Sequence, residues 1–162
     1  LAQTDVPQRL RVVLAHIQNE LFDVGADISC PVTADPPWQP LRVDQASIDR
    51  LEAWCDEFGE QLPKLRSFIL PGGTALAAQL HVARTLARSA ERSAWAAAAQ
   101  FGLAATPGVV DGGLNPLALT YLNRLSDLLF NLARHANQAA SHDETLWVPG
   151  TGRTNPNAQG TR

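Results

Sequence analysis

Apolar residues along this chain recur mainly at three- and four-residue steps, which is the spacing of one face of an α-helix. Four segments carry this spacing: 6–29, 44–62, 75–101 and 116–140. The last three segments are preceded or opened by good N-cap residues, namely Asp44, Thr74 and Asn115. No stretch alternates apolar and polar residues with the period of a strand. We therefore predict an all-α, antiparallel helical bundle.

The chain length fits one domain. Its 162 residues suffice for a single compact core. Three connectors separate the predicted helices: a proline-rich one at 31–43, one at 63–73 that ends in the turn "PGG", and a glycine-containing one at 102–114. We place the bundle in residues 1–149 and expect 150–162 to form a flexible C-terminal tail.

The third predicted helix has two chemically different faces. Alanine and leucine occupy one face, which would let another helix approach closely. A separate arc, about 100° wide, carries His81, Arg84, Arg88, Glu91, Arg92 and Trp95. This arc is either a solvated face with ion pairs or a site for an anion. The second interpretation is favoured because like charges four residues apart destabilise an isolated helix, and because arginine forks match phosphate oxygens. We predict a di- or triphosphate here, with Glu91 orienting one fork or helping to hold a hydrated cation.

The fourth predicted helix also carries a polar arc beside its leucine-rich face. This arc contains Asn123, Asp127, Phe130, Asn131 and Arg134. Asn123 and Asp127 would serve either ribose hydroxyls or the arginines of the third helix. The alternative is that they make hydrogen bonds between helices inside the bundle.

Composition removes several classes of function. The formal net charge of −3 argues against a general nucleic-acid binder. Cys30 and Cys55 form no CxxC motif, which argues against a zinc site or a disulfide framework and fits a reducing compartment. No apolar run is long enough to span a bilayer. The chain has no methionine, and we expect that its native N-terminus has been lost.

Three internal motifs resemble one known family. They are "FILPGG" at 68–73, "LHVARTLARSAER" at 80–92 and "YLNRLSDLLFNLAR" at 121–134, and "LFDVGADIS" at 21–29 fits the end of that family's first helix. In order and spacing they resemble the ATP:cob(I)alamin adenosyltransferases of the propanediol-utilisation type. The resemblance extends from Val6 to Trp147.

This resemblance implies a fold and a reaction. Family members form a five-helix bundle and assemble as homotrimers with active sites between subunits. They transfer the 5′-deoxyadenosyl group of ATP to the cobalt of cob(I)alamin and release triphosphate, with Mg²⁺. The partners implied are ATP, a corrinoid, an adenosylcobalamin-dependent acceptor enzyme and a flavoprotein reductant, in the bacterial cytoplasm, with no nucleic acid and no membrane.

The resemblance also implies roles for individual residues. Arg84 would pair with an aspartate and help to shape the site, and Asp127 would support this polar network. The ATP-binding set would be Arg88, Glu91, Arg92 and Asn123. Phe68 would approach the corrin and occlude the lower axial face of cobalt, although its pattern alone indicates core packing.

The chain departs from the family pattern at three places. Ser89 follows Arg88 where the family usually has a second arginine, and the connector after Phe101 is longer than in many members. We also expect that the family's N-terminal nucleotide loop, and the helix carrying the aspartate partner of Arg84, have been lost with the native N-terminus. The alternatives to adenosyl transfer are a corrinoid carrier without chemistry and another ATP-dependent transferase on a helical bundle.

Overall fold

The computed structural model describes residues 6–33, 35–104 and 112–150. Within these ranges it contains four helices, α1 (Gln8–Ser29), α2 (Gln45–Gly59), α3 (Ala75–Phe101) and α4 (Pro116–Ala139). The predicted all-α bundle is confirmed. The one clear boundary error is at α2, which ends at Gly59 in a turn rather than continuing to Leu62.

The three predicted N-caps all form. Asp44 accepts a hydrogen bond from Ser47 N at 2.9 Å, which lowers the pKa of the Asp44 carboxyl group. Thr74 Oγ1 accepts from Ala77 N at 3.2 Å. Asn115 Oδ1 accepts from Leu117 N at 3.1 Å. Each cap satisfies an amide that the first turn of the helix leaves without a partner.

Contacts between side chains fix the directions of the helices. Near the start of α3, Thr74 N donates to Asn137 Oδ1 at the end of α4 at 2.9 Å, so α3 and α4 run antiparallel. Tyr121 OH donates to Glu20 Oε2 at 2.8 Å between α4 and α1, which are also antiparallel. By contrast α2 and α4 lie side by side and parallel, since their start and end regions meet in the same order.

The core is centred on α4, which packs against α3 and α2 extensively and against α1 less. Most of its residues are buried. The largest side chains that are almost fully buried come from three helices: Tyr121, Phe58, Leu10, Leu51, Leu119, Leu128 and Leu132. Because α4 contacts every other helix, its polar residues have defined positions relative to α3.

A buried carboxylate joins the end of α1 to the starts of α2 and α4. Asp27 Oδ1 accepts from Arg42 Nη1 at 2.6 Å. Asp27 Oδ2 accepts from Val43 N at 2.8 Å and from Asn115 Nδ2 at 2.7 Å. The motif at 21–29 therefore contains, near its end, a residue that holds three elements together.

In the described ranges, two isolated β-bridges lie outside the helices: Ile69–Leu146, which is antiparallel, and Leu103–Leu114, which is parallel. Part of the predicted connector, 105–111, and most of the predicted flexible tail, 151–162, lie outside the described residues. The described residues form four helices, and the expected fifth helix stays a prediction. No helix in the described ranges has the length and apolar character needed to cross a membrane.

Candidate functional site

The predicted arginine arc of α3 lines a polar cleft against α4. The cleft has a volume of about 430 Å³, and its walls are formed by Arg84, Arg88, Ser126, Asp127, Phe130 and Asn131. Two guanidinium groups from one helix therefore face polar groups of the next. Arg84 and Arg88 lie on one side of α3, as the helical spacing predicted, and the packing of α4 brings Asp127 to the same cleft.

Glu91 lies beneath this cleft and orients one of its arginines. Its side chain is buried, with the residue 6% exposed. One carboxylate oxygen accepts a hydrogen bond from Arg88 Nη1, and the other accepts from Asn123 Nδ2 at 3.0 Å. Of the two roles predicted for Glu91, this geometry favours the orientation of an arginine fork.

A second cavity, lined by aromatic rings, adjoins the polar cleft. It has a volume of about 580 Å³, and it shares Arg84 and Phe130 with the cleft. Phe68 and Trp147 also line it. Phe68 is 77% exposed, so the core position that its sequence pattern indicated is wrong. Its ring is available to a ligand in this cavity.

Arg84 lines both cavities, and His81 precedes it by three residues on α3. Among the described residues, Arg84 Nε and His81 Nδ1 are buried without a hydrogen-bond partner. The His81 ring makes an edge contact with Phe130, with centroids 6.3 Å apart. Burial lowers the pKa of His81, and the charge of Arg84 lowers it further. The imidazole of His81 is therefore neutral at pH 7, and it packs against Phe130, which lines both cavities.

The remaining predicted residues of the two polar arcs differ in exposure and in whether they line a cavity. Asp127 is exposed and accepts from Arg124 Nη1 at 3.1 Å. Arg92 is exposed and lines neither cavity. Arg134, predicted on the same arc as Asp127, is instead buried and donates to Glu144 and to the Pro63 carbonyl. The α4 arc therefore contributes to two different environments.

The described residues do not form a metal site made of protein ligands alone. In the described ranges, no three His, Cys, Asp or Glu side chains come together to hold a metal ion. Both oxygens of the Glu91 carboxylate already accept hydrogen bonds. Mg²⁺ usually takes one or two carboxylates beside the phosphate oxygens of a nucleotide, so the predicted ion does not require such a cluster and stays a prediction.

Sequence reasoning missed six residues that line these cavities: Ser126 in the polar cleft, and Leu65, Arg66, Ser67, Ile69 and Trp147 in the aromatic cavity. Ser126 lines the polar cleft but falls between the core face and the polar arc of α4. Trp147 lines the aromatic cavity from beyond the last helix. A tryptophan beyond the last predicted helix was the available sign of a role for Trp147, but helical periodicity could not place its side chain.

The chain is similar in sequence to a family of known proteins. The family model described as cobalamin adenosyltransferase matches residues 1–136. The chain is 54% identical over 142 residues to a corrinoid adenosyltransferase of Mycobacterium tuberculosis. The aligned region covers 88% of this chain and 67% of that protein. It is 40% identical over 147 residues to a cobalamin adenosyltransferase of Cupriavidus metallidurans, covering 91% of this chain and 70% of the relative.

A solved structure is also similar. A variant of the PduO-type ATP:corrinoid adenosyltransferase from Lactobacillus reuteri, complexed with cobalamin and ATP, superposes with a TM-score of 0.71 at 34% identity. The match covers 86% of this chain and 71% of that one. Because the family model spans most of the chain and close relatives align along nearly all of it, this chain belongs to the cobalamin adenosyltransferase family.

Proposed function

We propose that this chain transfers the 5′-deoxyadenosyl group of ATP to the cobalt of cob(I)alamin and releases triphosphate. The observation that carries the proposal is that a cleft lined by arginines and a cavity lined by aromatic rings share Arg84 and Phe130. The cleft fits a polyphosphate, and the aromatic cavity fits the apolar face of a corrin. Joining C5′ of a nucleotide to cobalt requires these two binding regions side by side.

The chemistry of the transfer belongs mainly to the corrinoid. An electron pair of cobalt(I) forms the new cobalt–C5′ bond. The C5′–O bond breaks, and its electron pair leaves with the triphosphate. The protein must therefore hold C5′ in line with cobalt and stabilise the negative charge that develops on the leaving oxygen.

Arg88 is the residue best placed to receive that charge. It lines the cleft with a half-exposed side chain, and its Nη1 is oriented by Glu91. The fork has further N–H groups, and a guanidinium can donate to two phosphate oxygens at once. Arg88 would therefore clamp the phosphates while Glu91 keeps the fork from turning away.

The other predicted ATP residues take supporting positions in the proposal. Asn123 contacts Glu91 and would bind the nucleotide only after a rearrangement of its amide. Arg92 is exposed on α3 and would reach the outer phosphates by extending its side chain. Arg84 would shape the boundary between the cavities, with Asp127 supporting the polar side.

Phe68 would face the corrin from the aromatic cavity. Its exposed ring supplies an apolar surface where the lower axial ligand of cobalt would otherwise lie. Loss of that ligand eases the reduction of cob(II)alamin to the nucleophilic cob(I) state. Phe68→Ala would therefore slow adenosylation that starts from cob(II)alamin.

Magnesium enters the proposal as an ion carried by ATP. The described residues bring no three His, Cys, Asp or Glu side chains together around a metal ion, so most of its ligands would be phosphate oxygens and water. Mg²⁺ on the phosphates would reduce their charge without requiring a carboxylate cluster.

The proposal includes a homotrimer in the bacterial cytoplasm, supplied by a flavoprotein reductant and serving an adenosylcobalamin-dependent enzyme. Exposed apolar side chains on α3, including Val82, Leu86 and Trp95, support self-association. Exposed apolar surface of this kind often marks a contact with another chain. Sedimentation equilibrium of the full-length protein would measure the assembly.

The direct test uses full-length protein, ATP and chemically reduced cobalamin. We expect the visible spectrum of adenosylcobalamin to develop and triphosphate to accumulate in equal amount. Release of ADP would identify a different ATP-dependent transferase. Binding of corrinoid without a product would identify a carrier, and either result would overturn the proposal.

A further inference from the structure

The chain beyond α4 returns to the segment that carries Phe68. Trp147 N donates to the Phe68 carbonyl at 2.7 Å, and Leu70 N donates to the Thr145 carbonyl at 2.8 Å. With the Ile69–Leu146 bridge between them, these bonds form a short antiparallel ladder. The backbone on which Phe68 sits is therefore paired with residues from the end of the fold.

The two aromatic side chains of this ladder also touch. The rings of Phe68 and Trp147 make an edge contact, with centroids 5.9 Å apart and planes at 70°. Trp147 is 44% exposed, and both rings line the aromatic cavity. In addition, Ser67 Oγ donates to the Trp147 carbonyl at 2.9 Å. Backbone and side chain of Trp147 thus both constrain the neighbourhood of Phe68.

A buried ion pair fixes this C-terminal segment to the bundle. Arg134 of α4 is 6% exposed and donates through Nε to Glu144 Oε1 at 2.9 Å and through Nη2 to Glu144 Oε2 at 3.2 Å. Such a bidentate pair restricts both position and angle. Trp147 lies three residues beyond Glu144, so the ion pair ties the ladder to α4.

We propose that Trp147 is a positioning residue that holds the Phe68 ring in the aromatic cavity against the corrin. The inference rests on the proposed function and adds a residue to it. A phenyl ring as exposed as Phe68 has few neighbours to select its rotamer, and edge-to-face contact with a fixed indole supplies that selection. The corrin then meets a preformed aromatic surface.

The test compares Trp147→Ala with Trp147→Phe in the full-length protein. Trp38→Ala is the matched control, since Trp38 lies in the proline-rich connector, is 62% exposed and lines neither cavity. Adenosylation is measured from cob(II)alamin with a reductant and, separately, from cob(I)alamin. The EPR spectrum of bound cob(II)alamin reports whether its lower nitrogen ligand is still attached.

We expect Trp147→Ala to lower the rate from cob(II)alamin about tenfold or more, with a smaller loss from cob(I)alamin and an unchanged KM for ATP. Its EPR spectrum should retain the lower ligand. Trp147→Phe should restore most of the rate, because it keeps an aromatic edge. Trp38→Ala should behave as the wild type.

Glu144→Gln provides a second variant in case Trp147→Ala does not fold. It weakens the anchor while leaving both rings in place, and we expect the same selective loss from cob(II)alamin. A wild-type rate in both variants would overturn the inference, as would an equal loss in Trp147→Phe. If the wild type itself forms no adenosylcobalamin, the proposed function fails instead.

Discussion

The side-chain amide of Asn123 donates a hydrogen bond to Glu91 across the α3–α4 interface, with Nδ2 3.0 Å from Oε1. The other oxygen of the same carboxylate accepts from Arg88. Glu91 therefore links an asparagine of α4 to an arginine that lines the polar cleft. The orientation of the arginine depends on how the two helices pack.

Glu91→Gln should weaken ATP binding with little effect on corrinoid binding. Glutamine keeps the size of the side chain, but it has one acceptor oxygen for two donors, so Arg88 loses its fixed orientation. Charged hydrogen bonds are worth about 1.5–3 kcal/mol, and we expect the KM for ATP to rise roughly tenfold. Steady-state kinetics with each substrate varied in turn would measure this.

Glu57→Gln is the matched control for that experiment. It also removes a carboxylate that pairs with an arginine, since Arg9 Nη2 lies 2.6 Å from Glu57 Oε2 on the surface between α1 and α2. We expect it to leave both KM values unchanged. Equal effects of the two variants would contradict a specific role for Glu91.

Arg88→Ala should reduce kcat/KM about 100-fold or more, because removing one preorganised donor to developing charge costs this much in comparable sites. Arg88→Lys should recover only part of the loss, since an ammonium group cannot make the planar, bidentate contact. Arg9→Ala serves as the control for loss of a guanidinium. Near-normal kcat/KM for Arg88→Ala would exclude the phosphate clamp.

Sequence alone could predict the features that depend on local spacing. The bounds of α3 were predicted from local signals. So were the caps, because each cap side chain accepts a hydrogen bond from a backbone amide only two or three residues further along the chain, at Asp44, Thr74 and Asn115. Helical periodicity likewise placed Arg84 and Arg88 on one side of α3. These predictions needed no knowledge of which helices are neighbours.

Features that depend on packing between distant segments could not be predicted in this way. Arg134 shares a helical arc with Asp127, yet it is buried because Glu144 folds back against it. Glu91 shares the arc of Arg88, yet it is buried because Asn123 and α4 cover it. A helical arc describes angles around one axis and contains no information on what covers each turn.

Gly73→Ala should destabilise the protein by about 2 kcal/mol or more. Gly73 has a φ of +99°, and a Cβ there would lie 2.2 Å from Asn137 Oδ1. That oxygen also accepts from Thr74 N at 2.9 Å, so it cannot move away without weakening the start of α3. Urea unfolding followed by circular dichroism would measure the change.

Gly25→Ala is the contrasting glycine variant. Gly25 lies inside α1, and a Cβ there meets no atom within 4 Å. We expect it to stabilise the protein by roughly 0.5–1 kcal/mol, the usual difference between alanine and glycine inside a helix. Equal unfolding midpoints for the two variants would show that the contact with Asn137 imposes no constraint.

Asp27→Ala should cost about 3–5 kcal/mol, which is typical when one partner of a buried ion pair is removed. The substitution leaves the Arg42 guanidinium, the Val43 amide and the Asn115 side chain without their shared acceptor. Asp49→Ala, at an exposed position on α2, should change stability by less than about 0.5 kcal/mol. Similar losses in both would contradict the role of Asp27 as the joint between three elements.

Cys55 should be unreactive toward alkylation at neutral pH. Burial raises the pKa of its thiol from 9.0 to about 11, with a further contribution from the Asp127 carboxylate that Arg124 partly offsets. Because the thiolate is the reactive form, a pKa two units higher means about 100-fold less of it at pH 8. The rate of iodoacetamide labelling should rise about tenfold per pH unit until the pH approaches 11.

The Cys30→Ser variant leaves Cys55 as the single thiol and allows this pH profile to be measured by mass spectrometry. The same variant unfolded in urea supplies the reference, in which labelling should level off near pH 9, the ordinary pKa of the group. A folded-state profile that levels off at the same pH would show that the packing of α2 against α4 does not desolvate the thiol. A folded-state profile that keeps rising until the pH approaches 11 would mean that this packing keeps the Cys55 thiol about 100-fold less ionised at pH 8 than in the unfolded chain.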